Sequence, residues 1–465
     1  MRVSSFLTTL VTLSTVLSSA TAVGTKVRRC AVRGGAKSGS VSSSASGSSS
    51  TPVSSSGNSG SSSPPSSTST SSGVSSKAPQ VVQSAWFAGY HVDSSTGVSF
   101  NVDQISWSKY THMTYAFAVT SPDPTSISIS SQDEEVIPQL VSAAHNNNVT
   151  VSISVGGWTG SRYFSTAVAS QASRTQFVTT LSNFVNKYGF DGIDFDWEYP
   201  NKQGIGCNAI SPGDSANFLS LLQLLRSTPS TKDLILSVAT SILPFASSSG
   251  APMTDVSAFA KVIDWIEMMN YDIWGSWSSA VGPNAPLADS CAPGPDQQGS
   301  ATSGIQAWTA AGMPADKLVL GVAAYGHSFS VSPQNALQGE SLVAYPAFNK
   351  NNQPAGDNWD ATPGTDICGN ATPQGGIFTY WGLIANGFLT STGQNAPGID
   401  YRFDTCSQTA YVYNPQSQVM VSFDDQRAFT AKGQFIRTKN LRGFSMWEAG
   451  GDEKDMLLDA IIGGL

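Results

Sequence analysis

From residue 85 onward, short apolar or alternating runs recur with helix-like stretches between them. The runs are Trp86–Tyr90, Met113–Val119, Val149–Gly156, Gly192–Trp197, Leu234–Thr240, Trp265–Tyr271, Leu318–Tyr325 and Leu441–Trp447. Helical patterning falls between them, over Ser173–Tyr188, Asp214–Leu225, Val256–Val262 and Ser303–Ala311. Asp214, followed by an apolar face at Phe218, Leu221, Leu222 and Leu225, reads as the N-cap of an amphipathic helix. Eight strands alternating with helices predict an α/β chain closed into a (β/α)8 TIM barrel. An open doubly wound sheet would place a glycine-rich phosphate turn after its first strand, and none follows here.

The repeat breaks once, between the seventh and eighth runs. A structureless loop of that length does not suit a compact domain. The stretch holds two cysteines and the alternating runs Thr409–Tyr413 and Gln418–Ser422. It is expected to form a small α+β domain over residues 328–436, inserted into a barrel made of residues 80–327 and 437–465.

Ahead of the barrel the chain changes character. Arg2, the apolar run Phe6–Leu17 and Ala20-Thr21-Ala22 read as a secretory signal over residues 1–22. Residues 38–76 contain 23 serines in 39 positions and no charged residue. Such a segment cannot bury enough apolar surface to offset its chain entropy. Residues 23–79 are therefore expected to be a disordered serine-rich tail of an exported, extracellular protein. Residues 1–77 hold 7 of the 24 basic residues and none of the 32 acidic ones, leaving the remainder at a net charge of −15. A surface that acidic excludes nucleic acid and anionic membrane as natural partners and suits a neutral substrate. Asn148-Val-Thr and Asn370-Ala-Thr are N-glycosylation acceptors.

Of five cysteines, Cys30 lies in the tail. Cys207, Cys291, Cys368 and Cys406 allow three pairings, of which Cys207–Cys291 with Cys368–Cys406 is the one expected. There is no CxxC or CxxH cluster and there are four histidines, so neither a metal nor another cofactor is expected.

The chemistry concentrates at Asp191–Pro200. Asp194, Asp196 and Glu198 alternate by two, which puts them on one face of a strand. The intervening Ile193, Phe195 and Trp197 are apolar and suit burial beneath the helices, so the acids should point into the barrel. Three carboxyls gathered there raise one another's pKa, and a carboxyl that stays protonated near neutral pH can act as a general acid. Glu198 should lie at the open mouth, Asp196 one layer down and Asp194 deepest. Asp191 has the opposite parity and should serve as an anchor outside the interior.

The string Asp-Gly-Ile-Asp-Phe-Asp-Trp-Glu resembles the signature of family 18 glycoside hydrolases, the chitinases. Ser154-Val-Gly-Gly-Trp158, Met269-Asn-Tyr-Asp272, Ser422-Phe-Asp-Asp425 and Gly443-Phe-Ser-Met-Trp447 resemble further segments of that family in the same order. The resemblance implies a retaining, substrate-assisted cleavage of β-1,4 links between N-acetylglucosamine units. Glu198 would be the acid and base, Asp196 would orient the acetamido group, and Asp194 would hold the pair's proton. Tyr271 would donate to the acetyl oxygen, and Trp447 would floor the sugar. The expected substrate-binding set is Trp447, Met269, Asp272, Tyr325, Trp158, Phe117 and Tyr90. Trp274 and Trp277 could stack on sugars or merely anchor loops. Where the family often shows Tyr-Gly-Arg, this chain has Tyr325-Gly-His327, so no catalytic role passes to His327. The expected partner is chitin or its oligomers, bound by a monomer. A chitin-binding lectin and an endo-β-N-acetylglucosaminidase acting on N-glycans are the other readings. The first is disfavoured because Glu198 is present.

Overall fold

The computed structural model describes residues 77–465, so the expectations for the signal, for Cys30 and for nearly all of the serine-rich tail lie outside the described residues. Eight parallel strands form a closed ring: Val82–Ala88, His112–Thr120, Thr150–Gly156, Gly192–Asp196, Ile235–Thr240, Trp265–Met268, Leu318–Ala323 and Gly443–Trp447. Each pairs with its sequence neighbour in the barrel, and the first also pairs with the eighth through Val82–Ala85. That seam explains why the first strand begins at Val82, ahead of its apolar run. The sixth strand stops at Met268, short of the expected Tyr271, because the chain turns over the mouth there, with Asp272 at φ 55°.

The helices form where an apolar stripe meets a cap. In Gln171–Tyr188 the Ser170 hydroxyl accepts the Ser173 N–H, Gly189 ends the helix at φ 78°, and Phe177, Val178, Leu181 and Val185 face the sheet. In Asp214–Ser227 the cap position belongs to Gly213. Asp214 is instead fully buried inside the first turn, where it takes the Ser165 hydroxyl at 2.6 Å and the Ser211 and Asn201 N–H groups. The expected helix over Val256–Val262 is a single turn, Ser257–Ala260.

Between the seventh and eighth strands the chain builds a five-stranded antiparallel sheet, ordered Ile377–Thr379, Tyr325–Ser330, Val419–Phe423, Thr409–Asn414 and Asp400–Asp404. Alternation divides its residues. Val412, Val421 and Phe423 join the large core, while Phe329, Tyr411, Tyr413 and Met420 make a second, smaller one. The expected cysteine pairing is overturned. The bonds are Cys207–Cys368 and Cys291–Cys406. The loops after the fourth and sixth strands each lean onto the inserted segment rather than onto one another, so each contributes one cysteine to a crosslink with it. No helix among the described residues is long and apolar enough to cross a membrane.

Candidate active site

The fourth strand divides its side chains by parity. Ile193, Phe195 and Trp197 are buried outside the ring, where Phe195 meets Phe218 at 5.5 Å and Trp197 stacks on Phe164 at 5.1 Å. Asp194 and Asp196 face inward and are almost wholly buried. Glu198, one residue past Trp197, is half-buried at the C-terminal mouth. The approach of the third strand is made possible by Gly156, at φ 116°. A Cβ there would fall 2.1 Å from the Asp196 carbonyl oxygen. Asp191 faces away from this interior and anchors the far end, accepting the Val151 N–H at 3.0 Å and His145 Nε2 at 2.8 Å.

The three acids differ in their surroundings. Asp194 accepts the Ser154 hydroxyl on Oδ2 at 2.7 Å and the Ser237 hydroxyl on Oδ1 at 2.8 Å. Burial raises its pKa, against the pull of those donors. Asp196 is pushed well above the carboxylate range by burial, then by the charges of Glu198, Asp194 and Glu267. Burial thus drives both Asp194 and Asp196 towards their neutral forms, as expected for neighbouring carboxyls inside the barrel. Glu198 is pushed up to about 7, mainly by burial and also by the charge of Asp272. Its backbone is fixed by Ser161, whose Oγ accepts the Glu198 N–H at 3.0 Å, and by Asn208, whose Nδ2 donates to the Glu198 carbonyl at 2.8 Å.

Around the acids the mouth is aromatic. Trp447 lies nearly parallel to Phe117 at 5.5 Å and edge-on to Trp86 at 5.9 Å, and Met269 packs in the same group. Tyr271 and Tyr325 meet edge-to-face at 6.1 Å. Burial, followed by the charge of Asp196, keeps the Tyr271 hydroxyl protonated and able to donate. Asp272 Oδ1 accepts both the Tyr325 hydroxyl and His327 Nε2, each at 2.7 Å. His327 therefore braces Asp272, a residue of the expected binding set, from the inserted sheet. Trp158 and Tyr90 are each half exposed, and Trp277 is 60% exposed and edge-on to His327. Trp274 is buried and contacts Tyr345, so it anchors its loop.

Sequence reasoning gave no site role to Ser161, Ser237 or Glu267, took Ser154 only as part of a motif, and passed no catalytic role to His327. Serines at these places carry no distinguishing pattern. Glu267 did leave a signal: it shares the parity of Trp265 on the sixth strand and of Met269 just past its end.

Comparison with known proteins gives one consistent answer. Residues 85–452 match the family described as glycosyl hydrolases family 18. A chitinase-like effector of Moniliophthora roreri is 48% identical over 392 residues, 84% of this chain and 94% of that protein. Chitinase A1 of Niallia circulans is 33% identical over 67% of this chain, which spans 42% of that longer protein. The crystal structure of a chitinase from Rhizomucor miehei superimposes with a TM-score of 0.72 at 30% identity, covering 81% of this chain and 98% of the other.

Proposed function

Since the chain belongs to family 18 of the glycosyl hydrolases, we propose that it is an exported chitinase that cleaves β-1,4 links between N-acetylglucosamine units with retention. The observation that carries this reading is the graded row of acids on the fourth strand, with the outermost, Glu198, held protonatable to about 7 at an aromatic mouth. Glu198 gives its proton to the glycosidic oxygen. The substrate's own acetamido carbonyl then attacks the anomeric carbon from the opposite face, forming a cyclic oxazolinium ion. Asp196 lies next to Glu198 and orients the acetamido N–H while offsetting the positive charge that develops. The Tyr271 hydroxyl donates to the acetyl oxygen. Trp447, with Phe117 and Met269, supplies the apolar floor on which the C–H face of the distorted sugar rests. Glu198, now a carboxylate, removes a proton from the water that opens the oxazolinium. Asp272, Tyr325, Trp158 and Tyr90 extend the binding surface. The two disulfides suit an oxidising, extracellular setting.

A second reading has one observation in its favour. The Moniliophthora roreri relative is named an effector, and an effector could bind chitin fragments without cutting them. One experiment separates the two. Wild-type chain and Glu198→Gln are compared on N-acetylglucosamine oligomers, with products and anomers resolved, alongside calorimetric binding. The chitinase reading expects β-anomeric products from wild type. It also expects a fall of about 10²–10⁴-fold in turnover for the variant, with oligomer affinity kept. Tight oligomer binding by a wild-type chain that releases no product would establish the second reading instead.

A further inference from the structure

Barrels of this kind are filled inside by bulky branched side chains stacked in layers, each layer taken from alternate strands. Below the catalytic mouth this barrel departs from that rule. Ser84 shares the parity of Trp86, Thr114 that of Ala116 and Ser445 that of Trp447, and those larger residues cluster inside the ring. Ser152 shares the parity of Ser154, whose hydroxyl reaches Asp194. All four small residues therefore point inward, and all four are completely buried. The strand register, followed around the ring, puts Thr114, Asp194, Glu267 and Ser445 in one layer. The layer next below it holds Ser84, Ser152, Ser237 and Val319. Val319 alone is of the bulky, branched type. Part of this polar set is satisfied by protein. Asp194 takes the hydroxyls of Ser154 and Ser237, and Glu267 Oε1 takes the Trp265 indole N–H at 3.0 Å. Ser84 Oγ, Thr114 Oγ1, Ser152 Oγ, Ser445 Oγ and Glu267 Oε2 are buried with no hydrogen-bond partner among the described residues. A polar atom taken out of water without a new partner loses its hydration and gains nothing. One such atom is a local defect. Five of them on two adjacent layers call for a common partner.

We propose that these two layers form a buried binding site for a small cluster of water, held by Ser84, Thr114, Ser152, Ser445 and Glu267 inside the barrel beneath the catalytic acids. Water fits the chemistry of the lining. A serine or threonine hydroxyl can donate or accept, a carboxyl oxygen can accept, and a buried water makes about three such bonds. A metal ion would use the lining oxygens as acceptors alone, and both Asp194 oxygens already take serine hydroxyls. The small side chains leave the space that Val, Ile or Leu fills in an ordinary layer. The cluster gives Glu267 Oε2 its missing partner and places mobile dipoles beside Asp194, so two carboxyls can share one layer of a closed ring without both being stripped of solvent. The site lies below the groups that meet the sugar and does not depend on the chitinase reading.

Two measurements on the full chain test this. A crystal structure that resolves ordered water should show density peaks at hydrogen-bond distance, about 2.7–3.2 Å, from Thr114 Oγ1, Ser445 Oγ and Glu267 Oε2. A layer without density overturns the proposal, and so does a peak that anomalous scattering identifies as a metal. Thermal unfolding of Thr114→Val then reads the same site in solution, because valine keeps the shape and removes the hydroxyl. If the hydroxyl holds water, its loss takes a bond from the cluster and the midpoint should fall by roughly 1–4 °C. If the hydroxyl is dry, its loss relieves an unpaired polar group and the midpoint should hold or rise, which overturns the proposal. Where Thr114→Val does not fold, the wild-type density decides alone. Neither readout requires that the chain cut chitin, so this idea and the functional reading fail separately.

Discussion

Glu198 must arrive at the scissile bond with a proton, so its raised pKa sets a limit on the pH range of activity. With the carboxyl held near 7 by burial, kcat/KM should be level on the acid side of that value and fall as pH rises through it, because the carboxylate has nothing to donate. Initial rates on a soluble oligomer across neutral pH check this, and a fall centred near the ordinary carboxylate range would show that burial does not hold the proton. Asp196→Asn should lower turnover on acetylated oligomers by about 10²-fold or more while leaving binding largely in place, since its charge is needed only as the oxazolinium forms. Oligomers without acetyl groups should be poor substrates for any form of the chain. The acids themselves were legible in the sequence. Alternation at Asp194, Asp196 and Glu198 among Ile193, Phe195 and Trp197 dictates which side faces in, and the structure has that parity. What lies against them was not legible. Ser154, Ser237 and Glu267 sit on other strands, and their meeting depends on barrel register, which no single run encodes.

At the level of the element, the seam between the first and eighth strands depends on one position. Gly443 sits opposite Val82 at φ 152°, and a Cβ there would fall 1.8 Å from the Val82 carbonyl oxygen. No side-chain rotation relieves a clash with backbone. Gly443→Ala should therefore lower stability by about 2–4 kcal/mol, read as a drop in thermal midpoint, even though alanine adds a single methyl group. An unchanged midpoint would mean that the seam can open locally at no cost. The eight strands were readable as apolar runs, but their ends were not. The sixth run continues through Tyr271 in hydrophobic pattern, whereas pairing stops at Met268 because Asp272 turns the chain across the mouth. Asp214 misled for a related reason. An acid at the start of an amphipathic helix looks like a cap, yet here it is a buried hub for Ser165, Ser211 and Asn201.

Across the whole molecule, three of the ties between the inserted segment and the barrel bear directly on stability, and two of them are covalent. Four cysteines permit three pairings, and sequence spacing cannot choose among them, because the choice depends on which loops touch. Cys207–Cys368 closes a loop of 161 residues, so replacing both cysteines with serine should cost about 2–5 kcal/mol in unfolding free energy. The third tie is a buried junction. Glu448, just past the eighth strand, accepts the Ala88 N–H at 3.2 Å, and His91 lies against both Glu448 and the inserted segment, stacked flat on Trp359 at 3.7 Å. Burial pushes Glu448 up to about 8 from an ordinary value of 4.5 and pushes His91 down to about 4, so the pair is neutral at mildly acidic pH. The consequence for stability has a definite sign. A carboxyl whose folded pKa is raised contributes stability that is complete below its unfolded value and is lost as pH rises through its folded value. Between pH 6.5 and 8 the unfolded chain has already released this proton and the folded chain still holds it. Each pH unit should then remove up to about 1.4 kcal/mol through this group; His91, still half protonated in the unfolded chain at pH 6.5, works in the opposite direction at the lower end of the interval and fades out as pH rises towards 8. Denaturant unfolding of wild type and Glu448→Gln across that interval isolates the effect. The wild-type free energy should fall more steeply with pH, and the two curves should run parallel above about pH 9, once Glu448 is charged in the folded state as well. Parallel curves throughout would mean that Glu448 is already ionised in the folded protein and that the junction between barrel and insertion is wet.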